Sequence, residues 1–175
     1  MTGDISFKLK CKLYFAIIMT VLLYNGECWT VTKFDLSRLE GFHFRCVRRM
    51  TRKVRNPDMD DECKADRATH DEVFRAAGLP RIADILREKR LRWVGHLARE
   101  EEDDPARKML LKEMEGKTQW WTQVDVDLKT TRGITVKNVL LKAEDKLKWR
   151  KISSSRHDAQ RKSNFPDHRR RAIKR

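Results

Sequence analysis

KLYFAIIMTVLLYNGECW, residues 12–29, is the most apolar run of the chain, and its reading decides the fold class. Leu13, Ile17, Thr20 with Val21, and Tyr24 recur at the i, i+4, i+7, i+11 spacing of one helical face. Ala16, Ile18, Leu22 and Leu23 widen that face almost round the cylinder, so the spacing predicts a helix buried on most sides. Asn25-Gly26 is a turn-forming or C-capping pair. Glu27-Cys28-Trp29 follow, and Thr30-Val31-Thr32 leads into a second helix.

That second helix opens at Thr32, a plausible N-cap with Asp35 three residues on. Phe34, Leu36, Leu39, Phe42, His43, Cys46, Val47 and Met50 are its expected packing face. Its far end is dense in cations: Arg45, Arg48, Arg49, Arg52, Lys53 and Arg55. Cations suit a helix C-terminus, but this density exceeds what the helix dipole needs. Phosphate contact is the better account of Arg45, Arg48, Arg49, Arg52 and Lys53. Asn56-Pro57 stops the helix. The Met59-Asp60-Asp61 that follows lacks apolar strands on either side, so it reads as an acidic loop rather than a magnesium-holding carboxylate pair.

Beyond the loop every segment reads as helix. Thr69 and Glu72 form a capping box for a short helix ended by Gly78, and Pro80 opens the next. Ile82, Ile85, Leu86, Lys89, Trp93 and Leu97 mark one stripe there, with Arg90 and Arg92 among the cations opposite, offered as further phosphate contacts. Trp93 among arginines suits base stacking, although a core position is the commoner use of such a residue. Pro105–Met114 and Thr118–Lys129 are amphipathic, the latter with Trp120 or Trp121, Val124 and Leu128 inward. Thr135 caps a last helix whose Val139, Leu140, Ala143, Leu147 and Trp149 pack back. No strand-like alternation occurs. The expected fold is all-α, about six or seven helices in an irregular bundle. It divides into a helical hairpin (1–55), the acidic loop (56–68), a helical extension (69–152) and a disordered basic tail (153–175).

Forty Lys and Arg against 26 Asp and Glu give a formal net charge of +14, a field that favours polyanions. None of the four cysteines forms a CxxC pair, so they read as reduced thiols. His43 and Cys46 lie three apart on a helix, but without a second close pair they make no zinc site. No metal, cofactor or catalytic set emerges: there is no nucleophile–base pair, no paired carboxylates and no Gly-rich phosphate loop. Lys8, Lys10 and Lys12 before the apolar run have the outline of a signal peptide. Asp4 and the long polar lead argue against it, and the run is shorter than the ~20 residues a membrane span needs.

The segment from Leu13 to Met50 resembles the region just after the polymerase palm in the reverse transcriptases of LINE-type, non-long-terminal-repeat retrotransposons. The positions that carry it are Leu13-Tyr14, Leu22-Leu23-Tyr24, Gly26, Glu27, Trp29, Thr32, Leu39-Glu40, Phe42-His43, Cys46 and Arg48-Arg49. Ala77-Gly78-Leu79-Pro80, RLRWVGHLAR at 90–99 and Lys148-Trp149-Arg150 continue it in order, over about residues 8–152. Two departures stand out. Asn25 separates Tyr24 from Gly26, and the family's Gly-Arg-Pro-rich basic stretch before the next Trp is missing between Lys117 and Trp120. The resemblance implies a thumb-like helical unit and a C-terminal extension, with Tyr24, Gly26, Glu27, Trp29 and Trp93 as structural motif residues. It also implies that the catalytic carboxylates lie in a palm preceding this segment.

The reading that follows is a non-catalytic reverse-transcriptase fragment that binds the backbone of RNA, DNA or their hybrid, in the nucleus or cytoplasm. An upstream palm domain or another protein is a further partner, and a membrane is not. An alternative is a relic or domesticated helical scaffold, for which exposed apolar side chains on the first helices and salt-insensitive association are expected. A small secreted basic protein is the third alternative.

Overall fold

The first apolar run does fold as helix, but not with one period. In a computed structural model, which describes residues 5–52, 70–130, 134 and 138–154, α1 (Phe7–Leu13) starts at Ser6, whose hydroxyl accepts from the Leu9 amide. It continues through a π-helical segment, Tyr14–Met19, into α2 (Thr20–Leu22). The buried residues along this rod are Cys11, Tyr14, Met19 and Leu23. Tyr14 and Met19 are five apart, the step that one π turn adds to a four-residue repeat. This overturns the expected face. Leu13, Ile17, Ile18, Val21 and Tyr24 point outward, Ile17, Val21 and Tyr24 with 57%, 74% and 76% of their surface exposed. Asn25 then takes the left-handed conformation at φ 56°, which Asn tolerates better than most residues, and Gly26–Cys28 form a 3-10 turn.

The remaining helices are α3 (Lys33–Arg52), α4 (His70–Ala77), α5 (Ile82–Leu97), α6 (Pro105–Gly116), α7 (Gln119–Lys129), α8 (Val139–Glu144) and α9 (Lys146–Ser153). The fold is all-α: among the described residues every regular element is helical. None of these helices is long and apolar enough to cross a membrane. Gly78, at φ 63°, ends α4 as expected. The Leu79 amide reaches the Phe74 carbonyl and the Gly78 amide reaches that of Arg75, the paired bonds of a Schellman cap. Thr118 caps α7 by accepting from the Trp121 amide, and Asp104 caps α6 ahead of Pro105. The single last helix expected from the sequence is two. Asp145 breaks it and caps α9 through the amides of Leu147 and Lys148. Leu147 therefore sits 73% exposed instead of packing back, while Val139, Ala143 and Trp149 are buried. Ser153, placed by the sequence in the tail, closes α9 and is buried. The acidic loop, Thr69, Thr135 and the rest of the basic tail lie outside the described residues.

The chain clusters into two compact units. Among the described residues the first contains 5–24, 34–52 and 70–82, and the second contains 25–33, 83–130, 134 and 138–154. In the first, α3 buries His43, Val47 and Thr51, one i, i+4, i+8 line. His43 is the hub. Its Nε2 lies 3.0 Å from the Pro80 carbonyl oxygen, and its Nδ1 lies 2.8 Å from the Tyr14 hydroxyl. A carbonyl can only accept, so Nε2 carries the hydrogen and Nδ1 accepts from Tyr14. The Phe74 ring packs 4.8 Å away, centroid to centroid. Burial lowers the pKa of His43 against a smaller opposing effect of the Pro80 carbonyl, and burial also pushes the Tyr14 hydroxyl well up, so both are neutral. With both ring nitrogens engaged, His43 has no lone pair for the metal role weighed beside Cys46.

In the second unit Leu91, Val94, Leu97, Leu110, Trp121, Val124, Leu128, Val139, Ala143 and Trp149 form one apolar core. Of the two candidate tryptophans on α7, Trp121 is the inward one. The Trp149 indole donates to the Leu91 carbonyl at 2.8 Å and packs directly against Gly95. A Cβ at Gly95 would fall 2.0 Å from the Trp149 Nε1 and 2.2 Å from its Cδ1. Gly95→Ala is therefore expected to cost about 1–3 kcal/mol, the range for an overpacked core. Gly41→Ala, whose Cβ would meet the Arg45 guanidinium at an ordinary 3.5 Å, should stabilise by about 0.5–1 kcal/mol. Urea denaturation of the two variants checks both signs.

His43 supplies a pH dependence. Its folded pKa is lowered, so its contribution is complete above the unfolded value of about 6.5 and drains away as pH falls from there through the folded value. His43→Gln keeps a donor toward Pro80 and an acceptor toward Tyr14 but does not titrate. The wild type should lose stability to urea more steeply than this variant between about pH 7 and pH 5. Parallel curves would remove His43 from the pH response.

Candidate nucleic-acid interface

α3 carries six cationic and two acidic side chains in 20 residues. At 3.6 residues per turn, Phe34, Arg38, Phe42, Arg45 and Arg49 fall within about 80° of one another. His43, Val47 and Thr51 centre on the opposite side, which is why the first five face solvent once His43 is locked in the core. All five are exposed, Phe34 by 70%. The Arg38 guanidinium lies over the Phe34 ring at 5.6 Å from its centroid. Arg45 folds back along the helix beside Gly41. The face thus alternates flat aromatic surface with guanidinium groups over about four turns. Guanidinium groups match phosphate oxygens in a bidentate fork, and exposed aromatic rings offer stacking surface for bases.

The seven cations expected from the sequence do not share one fate. Arg45 and Arg49 lie on this face. Arg48 is half-buried and engaged within the chain. Lys53 and the side chain of Arg52 lie outside the described residues. Arg90 departs from the sequence expectation: it is buried, and its Nε donates to Asp127 at 2.7 Å. A phosphate has no access to it. Burial raises the pKa of Asp127 while the Arg90 guanidinium opposes that shift. Arg92 is half-exposed and forms an ion pair with Glu88 one turn before it. Arg38, Phe34 and Phe42 are what the sequence reading missed. The sequence pattern places the two phenylalanines on the packing face. The signal was the 4, 4, 3, 4 spacing from Phe34 through Arg38, Phe42 and Arg45 to Arg49, which runs opposite the His43–Val47–Thr51 line.

The motif residues of the second unit serve packing. The Glu27 carboxylate pairs with Lys89 at 3.1 Å, and its carbonyl accepts from the Trp120 indole at 2.8 Å. Gln123 clasps both backbone groups of Val31. Gly26 is buried, and Trp29 and Trp93 are half-buried, with Trp93 packed on the core and tilted against the His96 ring. Tyr24, by contrast, is exposed in the first unit. A cavity of about 290 Å³ opens beside Trp93, Trp120, Cys28, Met109, Leu110 and Glu113. Its lining is mainly apolar. Burial, with Glu27 beside it, pushes the Cys28 thiol pKa up, so the sulfur is protonated at neutral pH rather than an activated nucleophile. Among the described residues no group of three or more His, Cys, Asp and Glu is placed to hold a metal ion.

Comparison with protein-family models, curated proteins and solved structures gave no match.

The Arg90–Asp127 pair makes a structural prediction. Arg90→Met removes the charge facing a buried carboxylate, a change that costs about 3–5 kcal/mol when one partner of a buried pair is lost. Replacing both, as Arg90→Met with Asp127→Leu, should recover most of that loss in a urea titration.

Proposed function

We propose that this chain is a nucleic-acid-binding part of a LINE-type reverse transcriptase, the region that follows the palm, and that it holds RNA or DNA backbone through the outer face of α3. The observation that carries this reading is the stripe of Phe34, Arg38, Phe42, Arg45 and Arg49 on a chain of net charge +14. The resemblance described above adds the placement in the parent protein. In this reading the chain contributes grip rather than chemistry, and the metal-binding carboxylates belong to the palm.

Backbone contacts of this kind are sequence-tolerant and salt-sensitive, because each neutralised phosphate releases condensed counterions. The full chain should therefore bind an RNA–DNA hybrid more weakly as salt rises from 50 to 200 mM. Replacing both Arg45 and Arg49 with Ala should weaken binding and make the log–log salt slope shallower by about two units, one per phosphate contact. Phe42→Ser should instead spare duplex and weaken single strands, through a lost stacking contact of about 1–3 kcal/mol. Fluorescence anisotropy on labelled hybrid and single strand reads all three. Absence of binding at low salt, or a double arginine variant that binds as wild type, would sink the proposal.

A further inference from the structure

The rod of residues 7–22 leaves an unpartnered surface that the polyanion reading does not use. Leu9, Leu13, Ile17 and Val21 are all exposed and lie four residues apart along it; Ile18 and Tyr24 are exposed as well, and so is Ile5 just ahead of the helix. In a pure α-helix a four-residue repeat winds round the axis by about 40° per step. The π-helical segment between Tyr14 and Met19 takes up more residues per turn, so Leu13, Ile17 and Val21 drift less and the row straightens into a ridge. Ridges of residues four apart are the features that interdigitate when helices pack.

We propose that this ridge is a self-association surface on which a second copy of the chain packs its own ridge in antiparallel orientation. Three observations favour that occupant. The six side chains from Leu9 to Tyr24 expose on the order of 600 Å², about three quarters of the ~800 Å² each partner contributes to a stable interface. The row is regular and uninterrupted by any acidic or basic side chain from Leu13 to Tyr24, so it is complementary to itself. The charges, Lys8, Lys10 and Lys12, are confined to one end. An antiparallel two-fold axis near Ile17 sets each lysine cluster against the uncharged Leu22–Tyr24 end of the other copy, separating the clusters by about 20 Å, twice the screening length at 0.1 M salt. A lipid surface is less well served. Amphipathic helices that lie on anionic bilayers carry cations along their polar face, and here Lys10 and Lys12 are engaged within the chain.

Sedimentation equilibrium of the full chain, without nucleic acid, from 1 to 100 μM tests the proposal. A rise from the 20.8 kDa monomer to twice that mass is expected, little changed between 0.1 and 0.5 M salt. Leu13→Glu with Ile17→Glu replaces exposed residues only and should leave a monomer with unchanged circular dichroism. Ile17→Cys provides an independent readout. It should cross-link to its own copy under mild oxidation well above the wild-type background, whereas Ile5→Cys should not. A wild type that stays monomeric at 100 μM overturns the proposal, as does a double glutamate variant that still dimerises or Ile5→Cys cross-linking as readily as Ile17→Cys. A monomer that floats with vesicles of phosphatidylcholine and phosphatidylserine also overturns it and gives the ridge to lipid.

Discussion

The first unit depends on one irregularity of backbone winding. If the rod of residues 7–22 were α-helical throughout, Met19 would lie about 140° round from Tyr14 and could not share the inner face that Tyr14 turns toward His43. The π turn brings them into line. His43 then completes a chain of three elements, from the Tyr14 hydroxyl through its own two nitrogens to the Pro80 carbonyl just ahead of α5. A neutral imidazole satisfies both partners at once, whereas its protonated form would place a donor against the Tyr14 oxygen and a charge in an apolar site. Everything α3 shows to solvent follows from that anchor, since it sets the helix's rotation about its own axis.

The second unit depends on close approach. Trp149 reaches the Leu91 carbonyl only because Gly95 has no side chain. The same core hides Arg90 against Asp127, two charges that are tolerable there because each satisfies the other. Cationic residues in this chain thus do different work according to where packing leaves them. Arg99 donates to the Ala143 carbonyl near the end of α8, Lys89 pins Glu27, and Arg38, Arg45 and Arg49 face solvent. Net charge alone does not distinguish these uses.

An exposed apolar ridge and an exposed arginine–aromatic stripe in one small unit pull in opposite directions with respect to salt. Association through the ridge rests on burial of apolar area and is nearly indifferent to ionic strength. Binding through the stripe rests on counterion release and is strongly dependent on it. The two surfaces lie on different helices, so neither needs the other to be occupied.

The amino-acid sequence by itself determined the helical class, several of the helix starts and stops, and the inward set on α7. Those depend on local matters: the absence of strand alternation, a hydroxyl at a cap, a glycine at φ 63°, and the side of a helix on which Val124 and Leu128 fall. It also marked the cation-rich end of α3, with Arg45 and Arg49 among the residues chosen. Tertiary structure alone decided which face of the first helix is inside. A segment apolar nearly all round offers several equivalent faces, and a period of 3.6 assumed in advance cannot find a π turn. It also decided that Phe34 and Phe42 face out, that Arg90 faces in, and that Leu147 does not pack. The partners that settle these positions are far away in sequence: Asp127 is 37 residues from Arg90, and the Tyr14 that anchors His43 is 29 residues away. Periodicity reports the angle of a side chain about its own helix. What waits at that angle is set by the other elements.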